Sequence, residues 1–159
     1  MMKTMSTIHK KIKQEEHSHC FLCGHSNEKG FKLDFDLVDD GSMEACFRCS
    51  DFLEGYNNVM HGGVVSALLD SVMTNCLFAR GIKALTAELN VRFLAPVKTE
   101  GVVRLKASIE KSSGSYYVLR ASLVQGQTLK AKATGKFIAF FKNAEVKNDS
   151  TLKEVLNAT

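Results

Sequence analysis

The sequence lacks the segments that mark membrane and secreted proteins. None of its 159 residues belongs to an apolar run long enough to span a bilayer, and its opening, MMKTMSTIHKKIKQEE, has no signal-peptide core. We therefore expect a cytoplasmic protein without membrane contact. A formal net charge of +4 is too small for a nucleic-acid footprint. No internal repeat or low-complexity tract is present, and the length fits one domain.

The five cysteines are too few, and in the wrong compartment, for a disulfide framework. Cys20 and Cys23 form one Cys-x-x-Cys pair, and Cys46 and Cys49 form a second. Two such pairs are typical of zinc sites, but residues three apart in the predicted second strand point to opposite faces. A site of Cys20, Cys23, Cys49 and one histidine stays open as an alternative. We expect instead an N-terminal turn packed by apolar thiols, with Cys76 in the core and no metal or cofactor.

Hydrophobic periodicity predicts the order of elements. Phe31, Leu33, Phe35 and Leu37 share one face of a first strand, which pairs with a strand at 43–49. A loop at 52–61 leads to an apolar helix at 62–80. Alternating segments then predict four strands, at 86–94, 102–110, 116–124 and 129–140, and the single proline, Pro96, separates the first two of these.

This order predicts an α+β fold in which a curved antiparallel sheet wraps around one long hydrophobic helix. Residues 20–141 form that domain. Residues 1–19 are a polar segment, frayed or a short helix, and residues 142–159 are a polar tail with one helical turn at LKEVL. Long strands with apolar faces also indicate that a sheet edge pairs with a second copy of the chain.

Asp70 is the one charged residue between positions 62 and 79, which predicts poorly hydrated surroundings for its carboxylate. Helical spacing places Gly63, Ser66, Asp70 and Thr74 on one stripe. The glycines at the helix start let a ligand approach backbone N–H groups that lack helical partners. The alternative is that the polar residues of the stripe form the hydrated edge of a structural helix.

The segment GYNNVMHGGVVSALLDSVM, residues 55–73, resembles the HGG signature of hotdog-fold acyl-CoA thioesterases, in particular the PaaI-like branch. His-Gly-Gly stands at 61–63, and an acid follows nine residues after the histidine, at Asp70. The segments CFLCGHSNEKGFKLDF, LTAELNVRFLAPV and KATGKFIAF resemble other parts of the same family. The resemblance covers residues 20–141.

The resemblance implies the hotdog fold and hydrolysis of an acyl-CoA thioester by a homodimer or homotetramer. It implies that the Gly63 N–H stabilises the oxyanion and that Asp70, reaching across the dimer interface, acts as general base or nucleophile. His61 matches the motif histidine, and Gly62 and Ser66 line the substrate. Thr86 matches a Ser or Thr near the attacking water in some relatives. Neither a cofactor nor a metal is implied.

Two positions depart from the family pattern. An Asn that several relatives carry six residues before the histidine is Gly55 here, and Asn57 and Asn58 lie further along the loop. Asn58 is taken as a substrate contact. Simple alternation also places Thr86 on the side of the strand opposite the apolar residues, which favours a structural role for it.

Two further functions stay open at this stage. The first is a non-catalytic acyl-CoA sensor with the same pocket, although the 19-residue leader is too short for a helix-turn-helix module. The second is a zinc-stabilised interaction module. For the acyl pocket we expect a wall that includes Met60, Val64, Leu68 and Phe78, which leaves the acyl group undefined.

Overall fold

The computed structural model describes residues 2–140 of the chain, without the side chain of Met2. It contains two α-helices, α1 at Met2–Glu16 and α2 at Gly62–Phe78. The strands are β1 Asp36–Leu37, β2 Met43–Arg48, β3 Glu54–Tyr56, β4 Val59–Met60, β5 Ala84–Phe93, β6 Val102–Ser113, β7 Tyr116–Gln125 and β8 Thr128–Ala139. Neither described helix is long and apolar enough to cross a bilayer.

Six strands form one antiparallel sheet in the order β1-β2-β6-β7-β8-β5. Alternate residues of β6, β7 and β8 are buried against α2, because successive side chains of a strand point to opposite faces. The sheet-side core consists of Val103, Leu105, Ala107, Leu119, Ala121, Leu123, Ala131, Ala133 and Phe137. The predicted α+β fold, a sheet wrapped around one hydrophobic helix, is confirmed.

Gly135 in β8 explains how closely α2 lies on the sheet. A Cβ atom at this position would lie 2.6 Å from Phe137 Cε2 and 3.0 Å from Met73 Cε. A larger residue would push the helix and the strand apart. The helix can pack directly on the strand here because glycine has no side chain.

The N-terminal helix α1 covers the side of α2 that the sheet leaves open. Ile12 is buried, and the buried His9 Nε2 lies 2.8 Å from Asn75 Oδ1 of α2. The Asn75 amide nitrogen donates to the Ser71 carbonyl, so its oxygen faces the imidazole, and His9 Nε2 is the donor. The sequence predicted a frayed segment or short helix here, and the structure has a fifteen-residue helix packed on the domain.

Two predicted segments differ from the structure. Between 31 and 38 only Asp36–Leu37 is a strand, because the N–H groups of Phe31 and Leu33 donate to the carbonyls of the loop at 21–22 instead. The predicted loop at 52–61 contains a 3₁₀ turn, Asp51–Leu53, and the short β3–β4 hairpin. The predicted tail, with its helical turn at LKEVL, lies outside the described residues, and the domain boundaries stay predictions.

Candidate active site

The N-terminus of α2 is capped by the histidine that precedes it. His61 is the N-cap residue, and its Nδ1 accepts a hydrogen bond of 2.9 Å from the Gly63 N–H. The Val64 and Val65 N–H groups donate to the His61 carbonyl. The Gly63 amide expected to serve as an oxyanion donor therefore has an intramolecular partner, and His61 is exposed beside it.

Gly55 and Asn58 lie in the hairpin that supports this cap. A Cβ atom on Gly55 would lie 3.2 Å from both Cα and Cδ2 of His61, so the imidazole fills the space that a larger side chain would need. Asn58 has a φ of 60° and is exposed at the hairpin turn, where its N–H donates to Glu54 Oε2. Its backbone shapes the turn, and its side chain remains available to solvent.

Asp70 lies half-buried on α2 and is held by a strand residue. Its Oδ1 accepts a 2.8 Å hydrogen bond from the hydroxyl of Thr86 on β5. Burial raises the pKa of the Asp70 carboxyl above its usual value, while the Thr86 hydroxyl and the nearby His17 act to lower it. A carboxylate poorly solvated but held by one donor is suited to accept a proton.

A β-bulge explains why Thr86 meets Asp70. The β5–β8 pairing shifts register between Thr86 and Glu88, so Thr86 pairs with the fully buried Phe137 while Glu88 pairs with Lys136. Because of the extra residue, Thr86 and Glu88 point to opposite faces of the sheet, whereas residues two apart in a regular strand point to the same face. Simple alternation is therefore wrong for Thr86, which lies on the helix side of the sheet.

Of the remaining residues of the predicted stripe, Ser66 has a local partner. The Ser66 hydroxyl donates a hydrogen bond of 2.9 Å to the Gly62 carbonyl, four residues earlier in α2. Thr74 is half-buried one turn after Asp70. The stripe thus exists as predicted, but the donor capacity of Ser66 is used within the helix.

An apolar cavity of about 420 Å³ opens beside the start of α2. Its lining includes Tyr56, Met60, Gly62, Val65 and Phe93. Of the expected wall residues only Met60 lines it. Leu68 and Phe78 are buried, and neither they nor Val64 line this cavity, so the expected acyl-pocket wall stays a prediction for these three residues.

Cys20 and Cys23 lie close to a histidine, and Cys46 and Cys49 lie apart from them. The ligand atoms of His17, Cys20 and Cys23 lie within 4.8 Å of one another, and Cys49 does not belong to this group. Cys46 is exposed and Cys49 buried, as expected for residues three apart in a strand. Sequence reasoning left open which histidine lies beside the Cys20–Cys23 turn, and it missed His17 as a neighbour of Asp70. The only signal for His17 was the regular three-residue spacing of His17, Cys20 and Cys23.

Residues 57–132 match the Thioesterase superfamily. The chain is 29% identical to the bovine acyl-coenzyme A thioesterase THEM4 over 121 residues. This alignment covers 74% of the chain and 50% of THEM4. The Escherichia coli PaaI protein of the phenylacetic acid degradation operon superposes with a TM-score of 0.74 at 16% identity, over 88% of this chain and 96% of that one. The chain has the hotdog fold, and nearly half of it matches the Thioesterase superfamily. Both findings support the predicted family.

A second solved hotdog protein contains a ligand. A Streptococcus pneumoniae thioesterase-like protein with bound coenzyme A superposes with a TM-score of 0.63 at 18% identity, over 67% of this chain and 87% of that one. Variants of that protein with an aspartate or a threonine changed to alanine have also been solved, and the two positions lie sixteen residues apart. Asp70 and Thr86 of this hotdog chain have the same separation. The chain spans about half the length of the bovine relative.

Proposed function

We propose that this hotdog protein hydrolyses an acyl-CoA thioester to a carboxylic acid and free coenzyme A. The observation that carries the proposal is the half-buried Asp70 carboxylate, held by Thr86 on the same helix stripe as the Gly63 amide. The activity named for the bovine relative and the coenzyme A bound to the pneumococcal protein support it. The sixteen-residue separation of Asp70 and Thr86 supports the choice of residues.

The chemistry assigns one role to each group. Asp70, ionised above its raised pKa, removes a proton from water or attacks the thioester carbon itself. The carbonyl oxygen becomes an oxyanion, which the Gly63 N–H stabilises at the helix N-terminus. The carbon–sulfur bond then breaks, and the departing thiolate takes up the proton that Asp70 removed from water, so coenzyme A leaves as the thiol. If Asp70 itself attacks, the thiolate takes a proton from solvent, and water then hydrolyses the acyl–Asp70 anhydride to the carboxylic acid. Because the Gly63 N–H donates to His61 in the structure, the substrate oxygen takes the place of the imidazole nitrogen.

Asp70 and Gly63 of the same chain are too far apart to act on one thioester. Seven residues separate them along α2, which is about 10 Å at 1.5 Å per residue. We infer that Asp70 acts beside Gly63 of a second chain. The sheet edge favours such pairing, because β5 is an outermost strand with Leu85 58% and Phe93 54% exposed. A dimer that joins these edges covers apolar surface and completes the site.

The apolar cavity beside Gly62 suits the acyl chain. Its volume of about 420 Å³ and its lining of Met60, Val65 and Phe93 fit an apolar group whose carbonyl points to the helix start. Neither the length nor the aromatic character of that group follows from the lining. Gly62 is the residue shared by the cavity and the cap.

Replacement of Asp70 with Asn tests the proposal most directly. We expect thiol release from a panel of acyl-CoAs to fall by at least about 10³-fold, because loss of a nucleophile or general base removes most of the chemical step. Asp36→Asn is the matched control, since Asp36 is an exposed acid on β1 at the opposite edge of the sheet. Turnover by the Asp70 variant within tenfold of the wild type would reject the assignment. Tight acyl-CoA binding by a wild type that releases no thiol would favour the sensor.

The Asp70 variant also has a stability control with a definite sign. Because burial raises the folded-state pKa of Asp70, the carboxylate destabilises the fold once the pH exceeds the usual Asp pKa, increasingly up to the raised value. Asn does not titrate. The variant is therefore expected to melt at the same temperature as the wild type or higher at neutral pH, so loss of activity cannot be ascribed to unfolding.

Mixing two impaired variants tests whether the site is shared between chains. In a mixed dimer of Asp70→Asn and Gly63→Ala chains, one of the two sites contains an intact Asp70 and an intact Gly63. We expect co-refolded mixtures to recover activity that neither variant has alone, up to about a quarter of the wild type for random pairing. Mixtures no more active than the separate variants, with dimers present by light scattering, would exclude the shared site.

A further inference from the structure

A compact group of metal-ligating atoms lies where α1 ends. His17 follows the last residue of α1, and Cys20 and Cys23 lie in the turn after it. The histidine nitrogens and the two thiol sulfurs lie within 4.8 Å of one another, and Cys23 Sγ is 3.8 Å from His17 Nδ1. His17 and Cys20 are half-buried, and Cys23 is buried.

The backbone holds this turn in place without any ion. The Cys20 N–H donates to the His17 carbonyl, and the Gly24 N–H donates to the Cys20 carbonyl at 2.8 Å. A Cβ atom on Gly24 would lie 2.5 Å from both Cys20 N and Ser18 O, so glycine alone fits there. Lys32 Nζ donates to the carbonyls of Gly24 and His25. The two thiols are thus carried on a preorganised turn.

We propose that His17, Cys20 and Cys23 form a zinc-binding site. Zinc prefers a tetrahedral set of nitrogen and sulfur ligands, and bond lengths near 2.3 and 2.0 Å place two sulfurs about 3.8 Å apart and a sulfur and a nitrogen about 3.6 Å apart. The 3.8 Å between Cys23 Sγ and His17 Nδ1 is close to the second of these separations. Side-chain rotations of about 1 Å bring the whole group to it. Among the described residues the group has three members, so water or another donor fills the fourth position.

The surroundings of the two thiols favour a bound cation over apolar packing alone and over a redox role. The group lies at the C-terminal end of α1, where the helix dipole favours positive charge. Apolar packing alone does not require an imidazole nitrogen against a thiol. A redox role is opposed by the burial of Cys23, because reactive thiols lie in partly exposed positions.

The site would fasten α1 and its turn to the central helix. The His17 ring packs edge-on against Phe78 of α2, with ring centroids 4.7 Å apart. His17 also acts electrostatically on Asp70. The metal therefore fixes the position of a side chain that contacts α2, and its loss is expected to loosen α1 more than the sheet.

Metal analysis of the wild-type chain is the first test. Protein produced in zinc-supplemented medium and purified without chelator is expected to contain about one zinc per chain by mass spectrometry of the elements. Apoprotein titrated with Co²⁺ is expected to develop thiolate-to-cobalt charge-transfer bands and the visible bands of a four-coordinate ion. Less than a tenth of an equivalent of zinc, or a cobalt spectrum without thiolate bands, would overturn the proposal.

Substitutions assign the ligands. Cys20→Ser, Cys23→Ser and His17→Gln are each expected to weaken zinc binding at least about 100-fold in competition with a chromophoric chelator. Cys46→Ser and His25→Gln are matched controls at exposed positions and should bind as the wild type does. Equal loss in the controls, or a Cys20–Cys23 disulfide in freshly purified protein, would contradict the assignment. Because the cobalt titration uses the unaltered chain, the proposal can be rejected even if a variant fails to fold.

Discussion

The two halves of α2 have different tasks, although they belong to one helix. In residues 62–70 three of nine positions are buried, whereas in residues 71–78 seven of eight are buried. The first half carries two glycines, the serine and the aspartate of the stripe. The second half contributes Val72, Met73, Cys76 and Leu77 to the core. A helix that starts with glycines forms only because its later turns are packed on both sides.

The difference between the two halves separates the residues that stabilise the fold from those that we propose act on the substrate. Glycines at the helix start lower helix propensity but leave backbone donors within reach of a ligand. A half-buried carboxylate with a raised pKa likewise destabilises the fold and favours proton transfer. The close packing of the second half between the sheet and α1 compensates for the stability lost through the glycines and the carboxylate. Substitutions in the two halves should therefore separate folding from turnover.

The largest expected effect is on stability in the second half. Leu77 is fully buried, and Leu77→Ala removes its contacts and leaves a cavity. We expect the free energy of unfolding to fall by about 2–5 kcal/mol, measured by urea titration. Val64→Ala in the half-exposed first half is the control and should cost about 1 kcal/mol or less. Similar losses in the two variants would contradict the division between the halves.

A substitution in the first half should do the reverse. In Gly63→Ala the added methyl would lie 3.0 Å from His61 Nδ1 and 3.1 Å from Cε1, so the imidazole must shift and the amide is partly covered. We expect kcat/KM to fall about 10–10³-fold, the range for losing one oxyanion donor. Stability should change by less than about 1 kcal/mol, because alanine favours the helix while the cap is disturbed.

Melting curves and thiol-release kinetics on the same Gly63→Ala preparation decide the point. A variant that unfolds at the wild-type temperature but hydrolyses at the wild-type rate would show that this amide is not used in the transition state. The intramolecular bond to His61 would then be its only role.

Thr86 should set the pH range of the reaction. Its hydroxyl donates to Asp70 and so acts to lower a carboxyl pKa that burial raises. Thr86→Val removes the donor at nearly constant shape. We expect the Asp70 pKa to rise further, and the acid limb of kcat/KM to move to higher pH. Thr86→Ser retains the donor and should keep the wild-type profile. An unmoved limb in the Val variant would exclude Asp70 as the titrating group.

The overall fold was predictable from the sequence because it follows from periodicity. The apolar run after Gly63 and the alternation in β6, β7 and β8 each repeat over ten residues or more, and local pattern alone sets those elements. The stripe that contains Asp70 was predictable for the same reason. The family resemblance then named the roles that spacing could not.

The environment of the site was not predictable in the same way. A single extra residue in β5 reverses the facing of Thr86, and a bulge leaves no trace in a pattern of alternation. The bond from Gly63 to His61 depends on the cap conformation. α1 is a polar sequence whose helix is stabilised by contacts such as His9 with Asn75, distant in sequence. Its packing brings His17 to the cysteine turn and near Asp70.

The smallest expected effect concerns Ser66, which lies between Gly63 and Asp70 on the stripe of the first half. Spacing on the stripe favours a substrate contact, yet its hydroxyl donates to the Gly62 carbonyl at 2.9 Å. Ser66→Ala removes a local bond that competes with the helix and adds a better helix former, so stability should rise by about 0.5 kcal/mol or less.

If Ser66 serves only the helix, KM for acyl-CoA and kcat should each stay within about twofold of the wild type. A tenfold rise in KM with unchanged kcat would instead restore Ser66 to the substrate site. Ala67→Ser adds a hydroxyl at the next position, off the stripe, and controls for polarity at this end of the helix. An effect confined to Ser66→Ala would add Ser66 to the residues of the first half that act on the substrate.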